Sequence, residues 1–320
     1  MDGAAIATLP ASSRPVPTAD TDAAPRYDLR DFGPLVVCSL IWGSTWFAIT
    51  FQLGTVPPTV SIAYRFGLAA AVLFGWLLAT RRPLRLDRAQ HLATFAQGVL
   101  TFGVNYIFVY EAEKRLTSAV VAVIFAAMAF ANLLLFRVVL GARAPRAAWL
   151  ASGLGVAGVA VLFAGELGQA RMDSRALLGL AFGLASLVSA TAGNLFARRA
   201  QLLGVEVGAN TAWGMAFGAG LMVAIALATG QPWRFEATAG YVGSLVYLSL
   251  IGSVTAFLLY FGLARRRGYV LASYISAVTP AIAMLISAVF EHAHWGIAAL
   301  AGLALVMAGQ VLLARAPHSG

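Results

Sequence analysis

Ten apolar runs, each of about twenty residues and nearly free of charge, follow one another along this chain with only short polar turns between them. They fall at 34–53, 58–80, 90–111, 117–140, 147–165, 176–199, 208–229, 239–263, 269–290 and 295–314. One helical crossing of a bilayer core takes about 20 apolar residues. An open strand edge cannot satisfy its backbone in lipid, and the runs lack the alternation of a membrane barrel. The chain therefore reads as an all-α integral membrane protein of ten transmembrane helices. Composition agrees: 60% of residues are hydrophobic and 11% charged, against roughly 25% charged in soluble domains.

The formal net charge is +9, but the basic residues cluster in turns, so the charge points to membrane orientation and not to nucleic acid. Sixteen Lys and Arg fall in alternate loops on one side, five on the other, and Arg65 lies within a span. Basic loops face the cytoplasm, which predicts a multi-pass protein of the bacterial inner (plasma) membrane with both termini cytoplasmic. Residues 1–33, rich in Ala, Pro, Ser, Thr and Asp, read as a disordered cytoplasmic tail. No short apolar core follows a basic start there, so no cleavable signal peptide is expected. The one cysteine, Cys38, excludes an intrachain disulfide and a cysteine metal cluster. His292 and His294 could hold a metal, but a solvated turn is the better reading of that position. No phosphate-binding Walker sequence is present, and no metal or other cofactor is expected.

The runs divide into two five-helix halves, 34–165 and 176–314. Ala151 and Gly158 near the end of the first half match Gly302 and Gly309 near the end of the second, both pairs seven apart. Five is odd, so two like halves must cross the membrane in opposite senses. Inverted repeats are a transporter architecture, with substrate held near the midplane between them. Small-residue spacings such as Gly153 with Ala157, Gly179 with Gly183 and Gly214 with Gly218 read as close helix packing.

Particular segments resemble a known family. The first run carries Ile41-Trp42-Gly43-Ser44-Thr45-Trp46-Phe47, followed by Pro57-Pro58 and Tyr64-Arg65-Phe66. The ninth carries Ser273, Thr279-Pro280 and Phe290-Glu291. In order and spacing these resemble the EamA-type transporters of the drug/metabolite transporter superfamily, over roughly 34–314. The resemblance implies two EamA-like repeats and secondary transport of amino acids, other metabolites or drugs, usually outward. The first half departs from the pattern: its fourth run reads Ala127-Met128-Ala129-Phe130 where a proline is expected, and Gly141-Ala142-Arg143 where a glutamate should follow. That puts a strictly symmetric gating mechanism in doubt.

Candidate substrate-binding residues are the polar and aromatic ones at depth. Arg65 sits about 10 Å into the second run at 1.5 Å per residue. A charge there is costly unless it faces a cavity or a partner, so it is either an anion contact or a structural arginine. Trp42, Thr45 and Trp46 share a helix face, with Ser44 beside them. Asn105, Tyr106 and Tyr110 lie in the third run, Asn194 in the sixth, and Ser253, Thr255 and Tyr260 in the eighth. Pro280 is a candidate hinge, since it frees a carbonyl one turn earlier. Glu111 and Glu113 mark a helix end and read as interfacial, and Glu291 as part of a solvated turn.

A transporter is favoured over a membrane-embedded enzyme, which would need clustered His, Asp or Glu, and over a channel, which would need polar rings. No catalytic residue is assigned. The expected partners are the lipid bilayer and a small-molecule substrate, with a monomer plausible and the oligomeric state open. Arg65 among aromatic residues suits a carboxylate, so amino-acid export is the leading reading. Efflux of drugs or organic cations is the alternative.

Overall fold

A computed structural model describes residues 29–141, 146–169, 174–292 and 295–314, which are helical with no strand among them. The expected tail up to residue 28, the charges at Arg14, Arg26, Arg143, Arg171 and Arg315, and His294 lie outside the described residues. The helices are α1 (Leu29–Thr50), α2 (Pro58–Ala79), α3 (Arg88–Glu113), α4 (Ser118–Leu140) and α5 (Arg146–Gln169), then α6 (Ser174–Leu202), α7 (Val207–Ala228) and α8 (Ala239–Arg267). A helical turn (Tyr269–Ala272) leads into α9 (Ile275–Phe290), and α10 (Ile297–Ala314) follows. Residues 29–33, within the expected tail, are helical.

Among the described residues, seven helices are long and apolar enough to cross a membrane: α1 from Phe32, α2, α3, α4, α6, α7 and α8. The other three contain shorter apolar stretches, Arg146–Val161, Val278–Phe290 and Ile297–Gly309. Local chemistry sets several boundaries. Pro58 opens α2, where its missing N–H would be unpaired in any case. Asp87 caps α3 in a reciprocal box with Gln90. Gly141 ends α4 in the left-handed region at φ 64°, a conformation that costs glycine least.

Large apolar side chains such as Val138, Val188, Leu285 and Ile297 stand exposed on the outside, as a lipid-facing surface requires. Inside, α5 packs on α10, α2 on α7, α3 on α6 and α7, α1 on α8 and α9, and α4 on α6 and α9. Lipid supplies no hydrophobic drive between helices, so close packing depends on small residues. A Cβ at Gly158 would stand 2.5 Å from the Gly302 carbonyl oxygen, and one at Gly309 would run into that of Ala151. The two seven-spaced pairs thus touch reciprocally, Gly158 against Gly302 and Gly309 against Ala151. Gly214 and Gly218 pack against Phe102 of α3, and Gly179 and Gly183 against Leu116 and Ile124. The expectation for Gly153 is corrected: no atom of a neighbouring helix lies near it, and the close approach in α5 falls at Gly158.

Two helices carry a π segment at matching places, Gly98–Val104 within α3 and Leu250–Thr255 within α8. Each offers a carbonyl to another helix. The Leu100 carbonyl accepts from Ser189 Oγ of α6 at 2.8 Å, and the Gly252 carbonyl from Trp42 Nε1 of α1 at 3.2 Å. α4 is interrupted at residues 126–127, where the sequence lacks the expected proline. α9 runs unbroken through Pro280.

Candidate functional site

Helices α1, α2, α3, α4, α6, α8 and α9 surround a central cavity of about 70 Å³. Its walls come from the irregular parts of the fold: the π segment of α3 contributes Thr101, the break in α4 leaves Phe125 and Met128 facing inward, and α9 presents Ser276 and Thr279 just before Pro280. π segments recur at functional sites because they turn a helix face.

The structure brings eight of the twelve candidate residues to this cavity: Trp42, Thr45, Trp46, Arg65, Asn105, Tyr106, Asn194 and Tyr260. Arg65 is only 1% exposed. Its Nε donates to Ser253 Oγ at 3.1 Å and its Nη2 to the Tyr106 hydroxyl at 3.5 Å. The guanidinium lies 4.5 Å from the Tyr106 ring centre and 5.2 Å from that of Phe66, within cation–π range. Among the described residues no carboxylate is within ion-pair distance of it, and Nη1 has no hydrogen-bond partner. A membrane-buried cation held only by neutral groups retains its full attraction for an anion.

Other polar atoms around the cavity are also unpartnered. Trp46 Nε1 and the Tyr260 hydroxyl can donate, and Asn105 Oδ1 and Thr101 Oγ1 can accept. Trp42 stacks edge-on to Phe257 at 5.1 Å between ring centres, and Trp46 leans on Phe125 at 5.0 Å. The site is therefore an aromatic chamber with a cation at one wall and a few unpaired donors and acceptors.

The remaining candidates stand behind the wall or face away. Ser253 positions Arg65 from outside the cavity. Ser44 faces another way, sharing a hydrogen bond of 2.6 Å with the Tyr247 hydroxyl and donating to its own helix. Thr255 donates to the Leu250 carbonyl within the π segment. Tyr110 is fully buried one turn from Tyr106, with its hydroxyl unpartnered. Glu113 corrects the interfacial expectation, being buried with both carboxylate oxygens unpaired. Glu111 is half-buried in ion pairs with Lys114 and Arg115. Glu291, partly exposed just beyond α9, accepts from Ser118 Oγ at 2.7 Å. Pro280 is an interior residue of α9; lacking an N–H, it leaves the Ser276 carbonyl without its helical partner.

Sequence reasoning missed Ile49, Val109, Phe125, Met128, Ala190 and Phe257, whose apolar side chains carry no mark distinguishing a cavity wall from helix packing. It also missed Thr101, which shares a face with Asn105, and Ser276 with Thr279, spaced three apart before the proline; those polar pairs were the available signal. Within the spans, Asn194 donates to Asn132 at 3.2 Å, and Asn132 to Ser273 at 2.7 Å, joining α6, α4 and the entry to α9. Among the described residues no group of His, Cys, Asp and Glu is arranged to hold a metal.

Comparison with known proteins places this architecture. Residues 34–164 and 177–315 each match the EamA-like transporter family. The chain is 28% identical over 258 residues to the inner membrane transporter YedA of Escherichia coli strain K12, covering 80% of this chain and 81% of that one. It is 22% identical over 293 residues to protein PecM of Dickeya dadantii, covering 89% and 92%. A solved crystal structure superimposes with a TM-score of 0.69 at 20% identity, over 88% of this chain and 95% of the other, a likeness of fold. With both segments matched, this membrane protein belongs to the EamA-like transporter family.

Proposed function

We propose that this protein is a secondary transporter that exports small zwitterionic metabolites, amino acids first among them, across a bacterial inner membrane by alternating access. The observation that carries this reading is the set of unpartnered polar atoms around Arg65. The free Nη1 and the Trp46 N–H offer two donors to a carboxylate, the preferred partner of a guanidinium fork. Asn105 Oδ1 and Thr101 Oγ1 offer acceptors to an ammonium group. The small cavity volume suits a compact solute, and the aromatic wall suits an apolar side chain.

In this reading the chain makes ten spans as two inverted five-helix repeats, with both termini cytoplasmic. The reciprocal contacts of Gly158 with Gly302 and Gly309 with Ala151, the paired π segments, and the two separate family matches support the repeats. The Asn194–Asn132–Ser273 chain of hydrogen bonds serves as the cytoplasmic closure, and Pro280 as the hinge beside it. A buried cation in the wall disfavours the organic-cation alternative, because like charges in a low-dielectric site repel strongly.

Counterflow in proteoliposomes tests this. Vesicles loaded with unlabelled amino acids, one class at a time, should take up labelled amino acid from outside. Failure of every amino acid in well-folded protein would move the assignment to other metabolites or drugs.

A further inference from the structure

Glu113 is the last residue of α3, a place where a carboxylate is normally solvated. It is instead 7% exposed, and neither carboxylate oxygen has a hydrogen-bond partner. Glu111, two residues earlier, is held by Lys114 at 2.8 Å and Arg115 at 2.7 Å. Among the described residues Glu113 has no such ion pair.

The groups facing Glu113 come from several helices. Tyr110 and Tyr106 precede it on the same face of α3, three and seven residues back, and the Tyr110 hydroxyl is also unpartnered. Arg65 of α2 and Glu291 at the end of α9 are within electrostatic reach. Glu291 accepts from Ser118 Oγ at the start of α4. On the surface side, Arg175 of α6 donates to the Lys114 carbonyl at 2.8 Å and so faces the turn, and His292 is exposed. Glu113 therefore stands at the end of a column running from the cavity through Arg65, Tyr106 and Tyr110, at the joint where α3, α4 and α9 meet.

An isolated carboxylate removed from water and given no partner takes up a proton, because burying the charge costs far more than neutralising it. We propose that Glu113 is a proton-binding site: it holds a proton while this end of the cavity is packed shut and releases it to water when this end opens. The O–H bond breaks, the proton passes to water on that side, and the electron pair stays as a carboxylate. That carboxylate is repelled by Glu291 and attracted to Arg65. It then competes with a bound anionic group for the same guanidinium, so that proton uptake and substrate binding alternate.

The assignment rests on the transporter family and is independent of the amino-acid reading. Its test needs no substrate. Full-length protein in proteoliposomes is titrated while infrared difference spectra follow the stretch of a protonated carboxyl group. Wild type should show a titrating band at the high frequency of a carboxyl group free of hydrogen bonds, set apart from the bands of the solvated carboxyls. Glu113→Gln should lose it, and Glu291→Gln should keep it with the midpoint moved to lower pH. A band that persists in Glu113→Gln, a midpoint unmoved in Glu291→Gln, or a response to sodium at fixed pH would each overturn the proposal. Should Glu113→Gln fail to fold, the Glu291→Gln midpoint decides. In transport, exchange of labelled amino acid should depend on the pH at this end of the protein in wild type and not in Glu113→Gln. Absence of amino-acid transport in both would count against the substrate reading and leave the infrared result standing.

Discussion

α3 and α8 share a backbone irregularity and use it for different ends. Both widen into a π segment midway, and both give a carbonyl there to a neighbouring helix, α6 in one case and α1 in the other. In α3 the polar side chain of that segment, Thr101, faces the cavity unpartnered. In α8 its counterpart Ser253 is turned from the cavity and holds Arg65. α4 and α9 diverge in the same manner: the helix without a proline is the one that breaks, and the helix with Pro280 is continuous. The two family-matched segments thus divide the labour. The first provides the charge and most unpaired atoms of the site, and the second provides the support behind them.

The strongest way to break this comparison is to remove the group that one half supplies and the other holds. Arg65→Ala should cut counterflow by about 100-fold or more, as truncating a buried charged contact commonly costs 2–5 kcal/mol. Arg65→Lys should recover only part, because an ammonium cannot match the fork. Chromatographic and thermal checks would confirm that both variants fold.

The two π segments also differ in what surrounds them. A Cβ at Gly98 would meet the backbone of Gly214, whereas one at Gly252 would meet the Thr45 methyl at 2.7 Å. Gly98→Ala should lower stability by about 1–3 kcal/mol through overpacking, seen as a fall in melting temperature in detergent. Gly252→Ala should cost less, because a side chain yields more readily than a backbone. Equal losses would show that the segments are equivalent.

Ser253→Ala removes a hydrogen bond to a charged group, worth about 1.5–3 kcal/mol, and should weaken substrate affinity roughly 10-fold. Thr101→Ala should change affinity by a smaller factor and leave thermal stability alone. Pro280→Ala restores a helical N–H, so α9 should stiffen and exchange should slow a few-fold. Unaltered exchange would remove the hinge role.

The smallest effect lies outside the spans. Glu236 is held below the ordinary glutamate range by the Thr55 hydroxyl and, next, by that of Thr238. A lowered carboxylate contributes stability above its unfolded value that is lost as pH falls through the folded one. Glu236→Gln should therefore flatten a slight acid dependence of the melting temperature, and only below the ordinary glutamate range.

Much of this was legible in the sequence, for reasons that differ by residue. Arg65 was found because a charge at depth demands an explanation, and Trp42, Thr45 and Trp46 because helical spacing set them on one face. Ser44 was misread because, at about 100° per residue, it stands well around the helix from Trp42. Glu113 was misread because position in a helix reports distance along an axis, while burial depends on which other helix ends converge there. Met128 and Phe257 carried no polar signal. The π segments were also illegible, since their residues are ordinary helix formers and glycines.

Those π segments bear on how relatives can be compared. A π segment is in effect one extra residue absorbed into a helix. Deleting a single residue between Gly98 and Val104 would leave α3 a regular helix of nearly the same length. Because the bulge absorbs that residue, Asn105 to Glu113 would keep nearly their present faces, whereas the same deletion in a regular stretch of the helix would turn them by about 100°. A one-position gap here would therefore leave Asn105 and Tyr106 facing the cavity, while the same gap placed elsewhere in the helix would exchange one set of inward-facing side chains for another.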